Sequence, residues 1–365
     1  MARRGGALSF ARYMELALYA PGLGYYSAGS RKLGAEGDFV TAPEVSTLFS
    51  ACVAHQIADV LATLGGGAVL EVGAGTGAMA TSVLAELERT RAPLAGYRIL
   101  ERSAELRARQ QATLDTRAHR VRWVQELPAP GFRGVVVANE LLDALPAARF
   151  AMTPEGVREC CVRWEGDAAQ GRFAWLLDRP EHAELASAVR DIETSLGRTL
   201  GPGYVSEVGL AQRAWVREMA RRIDRGVLLI FDYGYPRAEY YHPQRDRGTL
   251  TCFYRHRAHS DPLILTGIQD ISVHVDFTAV AEAACAEGLE LAGFTTQADF
   301  LLATNLLERL ESLAPESDAY RALSQQVKRL TLPTDMGELV KVMALAREYP
   351  RPLSGFTGRD LSGRL

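Results

Sequence analysis

Residues Ala68 to Met79 read AVLEVGAGTGAM: a short apolar run, Val69, Leu70 and Val72, carries Glu71 and ends in glycines at alternate positions, Gly73, Gly75 and Gly77. Apolar strand, glycines, then helix is how an open α/β sheet brings backbone N–H groups against a nucleotide-like ligand. Glycine allows positive φ there and removes the Cβ that would block the approach. A second group of residues is acidic. The run Val135–Ala138 delivers Asn139 and Glu140, with Asp143 just beyond, and the run Val227–Phe231 delivers Asp232 and Tyr233. Ligands of such sheets bind outside the carboxyl ends of the strands. If a helical turn begins at Glu140, it shares a face with Asp143 at i and i+3. Paired acids there can bind a cationic nucleophile and accept its proton, and a tyrosine beside an acid suits a flat cation.

Each of these residues has a bland alternative. Glu140 and Asp143 can simply complement a helix dipole, and Asp232 can bind its own backbone in a tight turn. Ser272 to Phe277 alternates, so that His274 and Asp276 share one side. They read either as a base and its orienter or as a buried pair that caps the helix after them. The remaining histidines stand alone, and no His, Cys, Asp spacing resembles a metal site.

Two cofactors fit the glycines. Gly73, Gly75 and Ala78 satisfy the degenerate dinucleotide pattern, which expects an acidic ribose ligand ≈ 20 residues further on. Here the next apolar strand, Tyr97–Leu100, ends in Glu101, about 28 residues past Gly73. The delayed acid resembles motifs I and II of class I S-adenosylmethionine (SAM) methyltransferases. That resemblance implies a glycine loop under the methionine part and a Glu101 carboxylate on the ribose hydroxyls, with NAD as the alternative.

The elements that must position these residues follow from periodicity. Leu8, Tyr13, Met14, Ala17 and Leu18 have helical spacing, as do Leu48, Val53, Ile57, Val60 and Leu61. Between them lie Pro21-Gly22-Leu23-Gly24-Tyr25-Tyr26 and a polar loop from Gly37 to Glu44. From Ala68 to Leu145 strands and helices alternate, as a parallel sheet requires. The pattern breaks after Pro146 into short strands, then helices over 180–196 and 207–223, and resumes at Val227. A helix over 277–287 and strands at 289–294 and 339–345 complete it. The expected division is a helical cap and lid loop (1–64), a Rossmann-like SAM-binding core (65–147), an inserted subdomain (148–226), a completion of the core sheet with substrate loops (227–350) and a tail (351–365).

Composition bounds the function classes. The 365 residues are 47% hydrophobic and 23% charged, ordinary globular values, with a net charge of -3 that gives no bulk attraction to nucleic acid. Five cysteines without a C-x-x-C pair indicate neither zinc nor a disulfide framework. No apolar run approaches ~18 residues and no signal-like h-region follows Arg3-Arg4, so the expectation is a cytoplasmic protein without membrane insertion.

Taken in order, GDFVTAPEVS (37–46), LEVGAGTG (70–77), ANELLDALP (138–146), FDYG (231–234), GTL-CFYRH (248–256) and HVDF (274–277) resemble the MidA-like methyltransferases, related to mitochondrial complex I assembly factor 7. The match spans about Tyr13 to Leu345. The resemblance implies a class I SAM-methyltransferase sheet with a helical cap and an inserted substrate subdomain, and a SAM-dependent protein-arginine methyltransferase. The family's mitochondrial members act on a complex I core subunit, which makes an arginine-bearing protein the expected partner. Carried onto this chain, Glu71, Gly73, Gly75, Gly77 and Glu101 are SAM contacts, and Asp38, Thr41, Pro43 and Glu44 form a lid over the cofactor. The resemblance also places Asn139, Glu140 and Asp143 at the substrate edge. Together with the reading of the residues themselves, the expected catalytic acids are Glu140, Asp143 and Asp232 and the expected substrate contacts are Asn139, Tyr233, His274 and Asp276, with no metal. The start of the chain almost at the family domain suggests a bacterial member. A small-molecule O- or N-methyltransferase and a non-catalytic SAM-binding assembly factor remain the alternatives.

Overall fold

The computed structural model describes residues 6–27, 40–167, 170–311, 314 and 317–365. Asp38, one of the expected lid residues, lies outside them. The first described elements are β1 (Ala7–Ser9), α1 (Phe10–Tyr19), α2 (Ala42–Val45) and α3 (Thr47–Leu64). Then come β2 (Gly67–Val72), α4 (Ala78–Arg89), β3 (Leu94–Leu100), α5 (Ala104–Leu114), β4 (Val121–Val124) and β5 (Phe132–Asn139). A second run holds β6 (Ala148–Thr153), β7 (Gly156–Glu165), β8 (Arg172–Asp178), α6 (Ala183–Leu196), β9 (Val205–Val208) and α7 (Leu210–Ala220). The third begins with the long β10 (Ile223–Tyr235) and continues through α8 (Arg237–Tyr240), β11 (Thr251–Tyr254), β12 (Arg257–His259), β13 (Asp270–Ser272), β14 (Val275–Asp276) and α9 (Phe277–Cys285). It closes with β15 (Glu290–Thr296), α10 (Gln297–Ala303), α11 (Leu306–Glu311), α12 (Asp318–Thr331) and β16 (Val340–Arg347).

The central sheet has the order β15-β16-β10-β5-β2-β3-β4, with β14 alongside the end of β10. Strands β10, β5, β2, β3 and β4 are parallel, and β16 is antiparallel to both its neighbours. The chain moves outward from β2 to β3 and β4, then crosses back to β5 and β10. Between β2 and β5 the order reverses, which opens a crevice at the carboxyl ends of those two strands. This is the class I methyltransferase arrangement expected from the sequence. Both faces of the middle strands are covered, which is why Val135–Ala138 and Val227–Phe231 are continuous apolar runs rather than alternating ones. Val69, Val135, Val137 and Leu229 pack in one core with Val53, Ile57 and Val83 of α3 and α4. Leu70, Val136, Leu228 and Ile230 pack in the other with Val216 of α7 and Val280 of α9.

Helix α3 has the length and apolar composition of a membrane span. His55, Gln56 and Asp59 interrupt its apolar run. Its buried side, from Phe49 to Leu64, forms part of the core against the sheet. Ser46 caps its start by accepting from the Leu48 N–H at 3.2 Å, and Gly65 ends it at φ 72°, a left-handed conformation that glycine adopts without strain.

A five-stranded sheet, β1-β7-β6-β9 with β8 on β7, forms the insertion, and β1 brings the N-terminal segment onto it. The helix expected from Glu207 starts instead at Leu210. Glu207 lies in β9 directly across from Arg149 of β6. It is fully buried there, ion-paired to Arg149 and bonded by the Thr249 N–H at 2.8 Å. A buried carboxylate needs those partners, and the strand supplies them where a helix would not. Helix α1 sets Phe10, Tyr13, Met14, Ala17 and Leu18 into a core shared with Cys252, Ile271 and Val273. The cap and the late loops are thereby fixed to one another.

At the other end of the sheet, Gly134 and Gly226 are cross-strand neighbours with φ of 138° and 146°. A Cβ on Gly134 would collide with the Ala68 carbonyl, and one on Gly226 with the Gly134 carbonyl. Gly134→Ala should therefore destabilise the protein by about 2–4 kcal/mol in urea unfolding. Gly96→Ala, in the same sheet but facing open space, should shift stability by less than ~1 kcal/mol. Equal, small effects of the two substitutions would contradict this packing.

Candidate active site

The crevice at the carboxyl ends of β2 and β5 collects most of the residues singled out in the sequence. Gly73, Gly75 and Gly77 all take positive φ, 71°, 52° and 86°. Gly77 starts α4 and lies so near α5 that a Cβ would sit 3.2 Å from the Gln110 Cα. Glu101, at the end of β3, is buried and accepts from the Ser103 N–H at 2.8 Å and from Gln110 Nε2 at 3.0 Å. The same Gln110 amide donates to the Gly75 carbonyl at 3.1 Å, and its Oε1 accepts from Trp123 Nε1 at 2.9 Å. Gln110 thus ties the glycine loop to the acidic end of the next strand. The sequence reading missed it, because a glutamine inside a polar helix carries no signal of burial. Glu71 lies beneath the loop, buried, with the Tyr97 hydroxyl donating to it at 2.5 Å. Burial pushes its carboxyl up to about 7, and the bond to Tyr97 links β2 to β3.

On the other side of the crevice the acids gather. No helical turn begins at Glu140, contrary to the spacing argument. Its backbone turns sharply at φ 48°, a left-handed conformation unusual for a side chain of this kind. The segment 140–144 is held from five directions. The Glu140 N–H donates to the Phe231 carbonyl at 2.8 Å. Asp232 Oδ2 accepts from the N–H groups of Leu141 and Leu142 at 3.1 and 2.7 Å. The Leu142 carbonyl accepts from Gln212 Nε2, the Asp143 carbonyl from the Val273 N–H, and the Ala144 carbonyl from the Tyr19 hydroxyl. Asp232 was expected among the catalytic acids. It is fully buried, and its other oxygen accepts from the Tyr233 N–H at 2.9 Å. Both oxygens therefore serve the backbone, which makes Asp232 a positioning residue.

Glu140 Oε1 accepts from Asn139 Nδ2 at 3.3 Å and from the Ala42 N–H at 3.0 Å. Asp143 accepts from the Ser272 hydroxyl at 3.2 Å, and Ser272 also bonds Asp270 at 3.3 Å. Burial, and then the neighbouring acids, raise these carboxyls: Glu140 to about 8 and Asp143 to about 7. Asp232 is raised for the same reasons. Like charges this close and this dry cannot all ionise. Asp270 is a further acid absent from the sequence reading. It accepts from the Tyr26 hydroxyl at 2.9 Å, and Tyr26 stacks on Tyr19 with ring centroids 5.5 Å apart. The dense tyrosines of the Tyr19–Tyr26 turn were the available sign of this aromatic wall.

The short helix α2 bridges the two sides. Thr41 precedes it and Pro43 lies in its first turn. Its Ala42 N–H reaches Glu140, while Glu44 is hydrogen-bonded by Thr76 of the glycine loop. His274 and Asp276 do not form a pair, contrary to the alternation. Asp276 caps α9 by accepting from the Ala279 N–H at 3.1 Å and pairs with Arg237 at 3.3 Å. His274 instead stands against the rings of Tyr233 and Tyr235, at 6.3 and 5.3 Å. Burial together with Arg245 and Lys341 pushes it down to about 4, so it is neutral at physiological pH. The alternation fails because β13 ends at Ser272 and the strand restarts only at Val275. A separate cavity of about 450 Å³, lined by Leu70, Arg98, Arg122 and Leu127, lies against β3 and β4 and includes none of the crevice acids.

The arrangement fits a ligand rich in hydrogen-bond donors and positive charge. Glu44 Oε2 and Asn139 Oδ1 are buried acceptors without a donor among the described residues. A ligand with an ammonium, ribose hydroxyls and a sulfonium supplies such donors and charge. The family model described as "putative S-adenosyl-L-methionine-dependent methyltransferase" matches residues 52–295. A Burkholderia thailandensis protein crystallised with S-adenosyl-homocysteine is 42% identical, with a TM-score of 0.91 over 99% of this chain and 93% of that one. Two relatives are "Protein arginine methyltransferase NDUFAF7, mitochondrial" of Danio rerio and its Drosophila melanogaster homolog. The first is 28% identical over 98% of this chain and 90% of its own length, the second 27% identical over 93% and 82%. The cofactor is therefore SAM rather than NAD. The chain belongs to the S-adenosyl-L-methionine-dependent methyltransferase family.

Proposed function

We propose that the methyl acceptor is an arginine side chain of a protein. The observation that carries this reading is the pair Glu140 and Asp143, held together at the carboxyl end of β5 with Asp270 and the stacked Tyr19 and Tyr26 beside them. The name borne by the Danio and Drosophila relatives supports it. As target we carry over the family expectation of a respiratory complex I subunit, and as compartment the bacterial cytoplasm.

The chemistry follows from the acids. When bound, SAM supplies an electrophilic methyl group on a sulfonium. A guanidinium keeps its charge at any physiological pH and has its lone pair delocalised, so it is a poor nucleophile. Two carboxylates that bind it side by side localise the lone pair on one nitrogen and hold that nitrogen in line, at ≈ 3–3.5 Å from the carbon it attacks. Glu140 and Asp143 are raised toward neutrality in the free protein, and an incoming cation favours their charged forms. Once charged, Glu140 is the base that takes the proton released after transfer. The faces of Tyr19 and Tyr26 add attraction for a flat cation. The bonds from Asn139 and the Ala42 N–H fix which way the Glu140 carboxylate faces.

Glu140→Gln should lower kcat by ~10²-fold or more, with SAM affinity changed by less than about threefold. S-Adenosyl-homocysteine release and calorimetric SAM titration measure the two quantities. A parallel loss of SAM binding would assign Glu140 to the cofactor instead. The pH profile gives an independent check. Protonated acids cannot bind the guanidinium, so kcat/KM should rise as pH climbs through the range of about 7 to 8 where Asp143 and Glu140 lose their protons. In Glu140→Gln the upper part of that rise should disappear. A profile flat from pH 6 to 9 in the wild type would contradict the role given to these acids.

A further inference from the structure

We propose that the apolar rim formed by Leu16, Tyr19 and Leu23 with Ile264, Leu265 and Ile268 docks the protein substrate through a large apolar side chain near the residue that is methylated. The proposal rests on the reading that the acceptor is an arginine of a protein. These six side chains are all exposed, Leu23 by 77%, Ile268 by 54% and Ile264 by 49%. Single exposed apolar residues are ordinary, but a contiguous group of them marks a contact surface. Contiguity follows from the backbone: Gly267 packs with its Cα face against the Leu23 carbonyl, and Tyr13, on the same helix as Leu16 and Tyr19, bonds the Pro262 carbonyl at 2.8 Å and Thr266 at 2.6 Å.

The loop from 261 to 269 is organised from the inside. Gln269 is fully buried, and its amide donates to the carbonyls of Asp261 and Ile264 at 3.1 and 2.6 Å. The Leu265 carbonyl accepts from the N–H groups of Ile268 and Gln269, and Leu265 itself takes φ 50°. A branched residue pays for that conformation in strain, and here the result is three large apolar side chains turned to water. Folding alone gains nothing from such an arrangement, whereas a preformed docking surface lowers the ordering cost of binding.

The occupant is set by what the rim adjoins. Tyr19 belongs to the rim and donates to Ala144, beside Asp143. Tyr26, stacked on Tyr19, bonds Asp270. The apolar surface therefore runs directly to the buried acids Asp143 and Asp270. That combination fits an extended segment with an arginine for the acids and a leucine-sized side chain a few residues away, each residue advancing ≈ 3.3 Å.

The test uses two fluorescein-labelled nine-residue peptides with a central arginine. One has only glycine and serine around it; the other has leucine two and four residues away. Fluorescence anisotropy measures binding, and mass spectrometry after incubation with SAM measures methylation of the arginine. The leucine peptide should bind the wild type about tenfold more tightly. In the triple variant Leu23→Ser, Ile264→Ser, Ile268→Ser that preference should fall to within about twofold, with calorimetric SAM affinity unchanged as the control for folding. No preference in the wild type, or one that survives the three substitutions, overturns the docking surface even if both peptides are methylated. Leucine-dependent binding without arginine methylation upholds the surface and overturns the arginine reading. Concentration-dependent dimerisation abolished by the triple variant, with no leucine preference, assigns the rim to a second copy of the chain.

Discussion

The site depends on one buried carboxylate. Asp232 holds the N–H groups of Leu141 and Leu142 with one oxygen and its own strand end with the other. The bend at Glu140, with its left-handed φ, would otherwise leave those donors buried without partners. One carboxyl oxygen that accepts from both N–H groups satisfies both donors of the bend at once. They keep the acids of the turn at the sheet edge instead of letting the chain continue as a helix. The same segment is then braced by Gln212 from α7, Val273 from the late loops and Tyr19 from the cap. Elements far apart in sequence thus converge on five residues, and the crevice keeps its shape without a helix beneath it.

This bracing has an electrostatic consequence. Glu140, Asp143 and Asp232, with Asp270 nearby, form a buried acidic group that burial and mutual repulsion push toward neutrality. Such a group is unfavourable unless something positive enters it. On the proposed function, the cost of assembling it is offset when the cationic acceptor binds, and binding then generates the charged carboxylates. Perturbed acids in a crevice are a mark of function, and here the geometry explains why they are perturbed. Beside them, the neutral His274 and the ring of Tyr235 adjoin Arg245 and Lys341, and Lys341 lies across from Asp232 in the sheet.

Much of this was legible in the sequence, and the limits have physical causes. The glycine loop and the strand runs were readable because they are local: three glycines at alternate positions and continuous apolar stretches mean the same thing in most contexts. Glu140 and Asp143 were correctly grouped, but for the wrong reason. A helical turn was inferred from spacing, whereas a tight bend held by Asp232 brings them to one edge. Glu207 read as helical because its partner Arg149 lies 58 residues away. Asp276 was paired with His274 because Arg237, 39 residues away, does not show in the local pattern, although the helix-capping reading of Asp276 is the one the structure has. Asp270 and Tyr26, 244 residues apart, could be joined only by the fold. Local pattern finds the elements of the sheet. Which buried acid bonds backbone and which faces substrate is decided by long-range contacts that spacing does not encode.

The measurement that tests this account most directly is the rate of methyl transfer by Asp232→Asn, set beside its SAM affinity. An asparagine keeps the shape of the side chain, but it puts an NH₂ donor where one of the two accepting oxygens stood. If Asp232 exists to hold the acid turn, kcat should fall by ~10²-fold while SAM binding, which this account assigns to the glycine loop and Glu101, changes by less than about threefold. A rate within about threefold of wild type would contradict the account, since the turn would then keep its shape without the clamp. A SAM affinity that falls in step with the rate would show that the two sides of the crevice are not independently built.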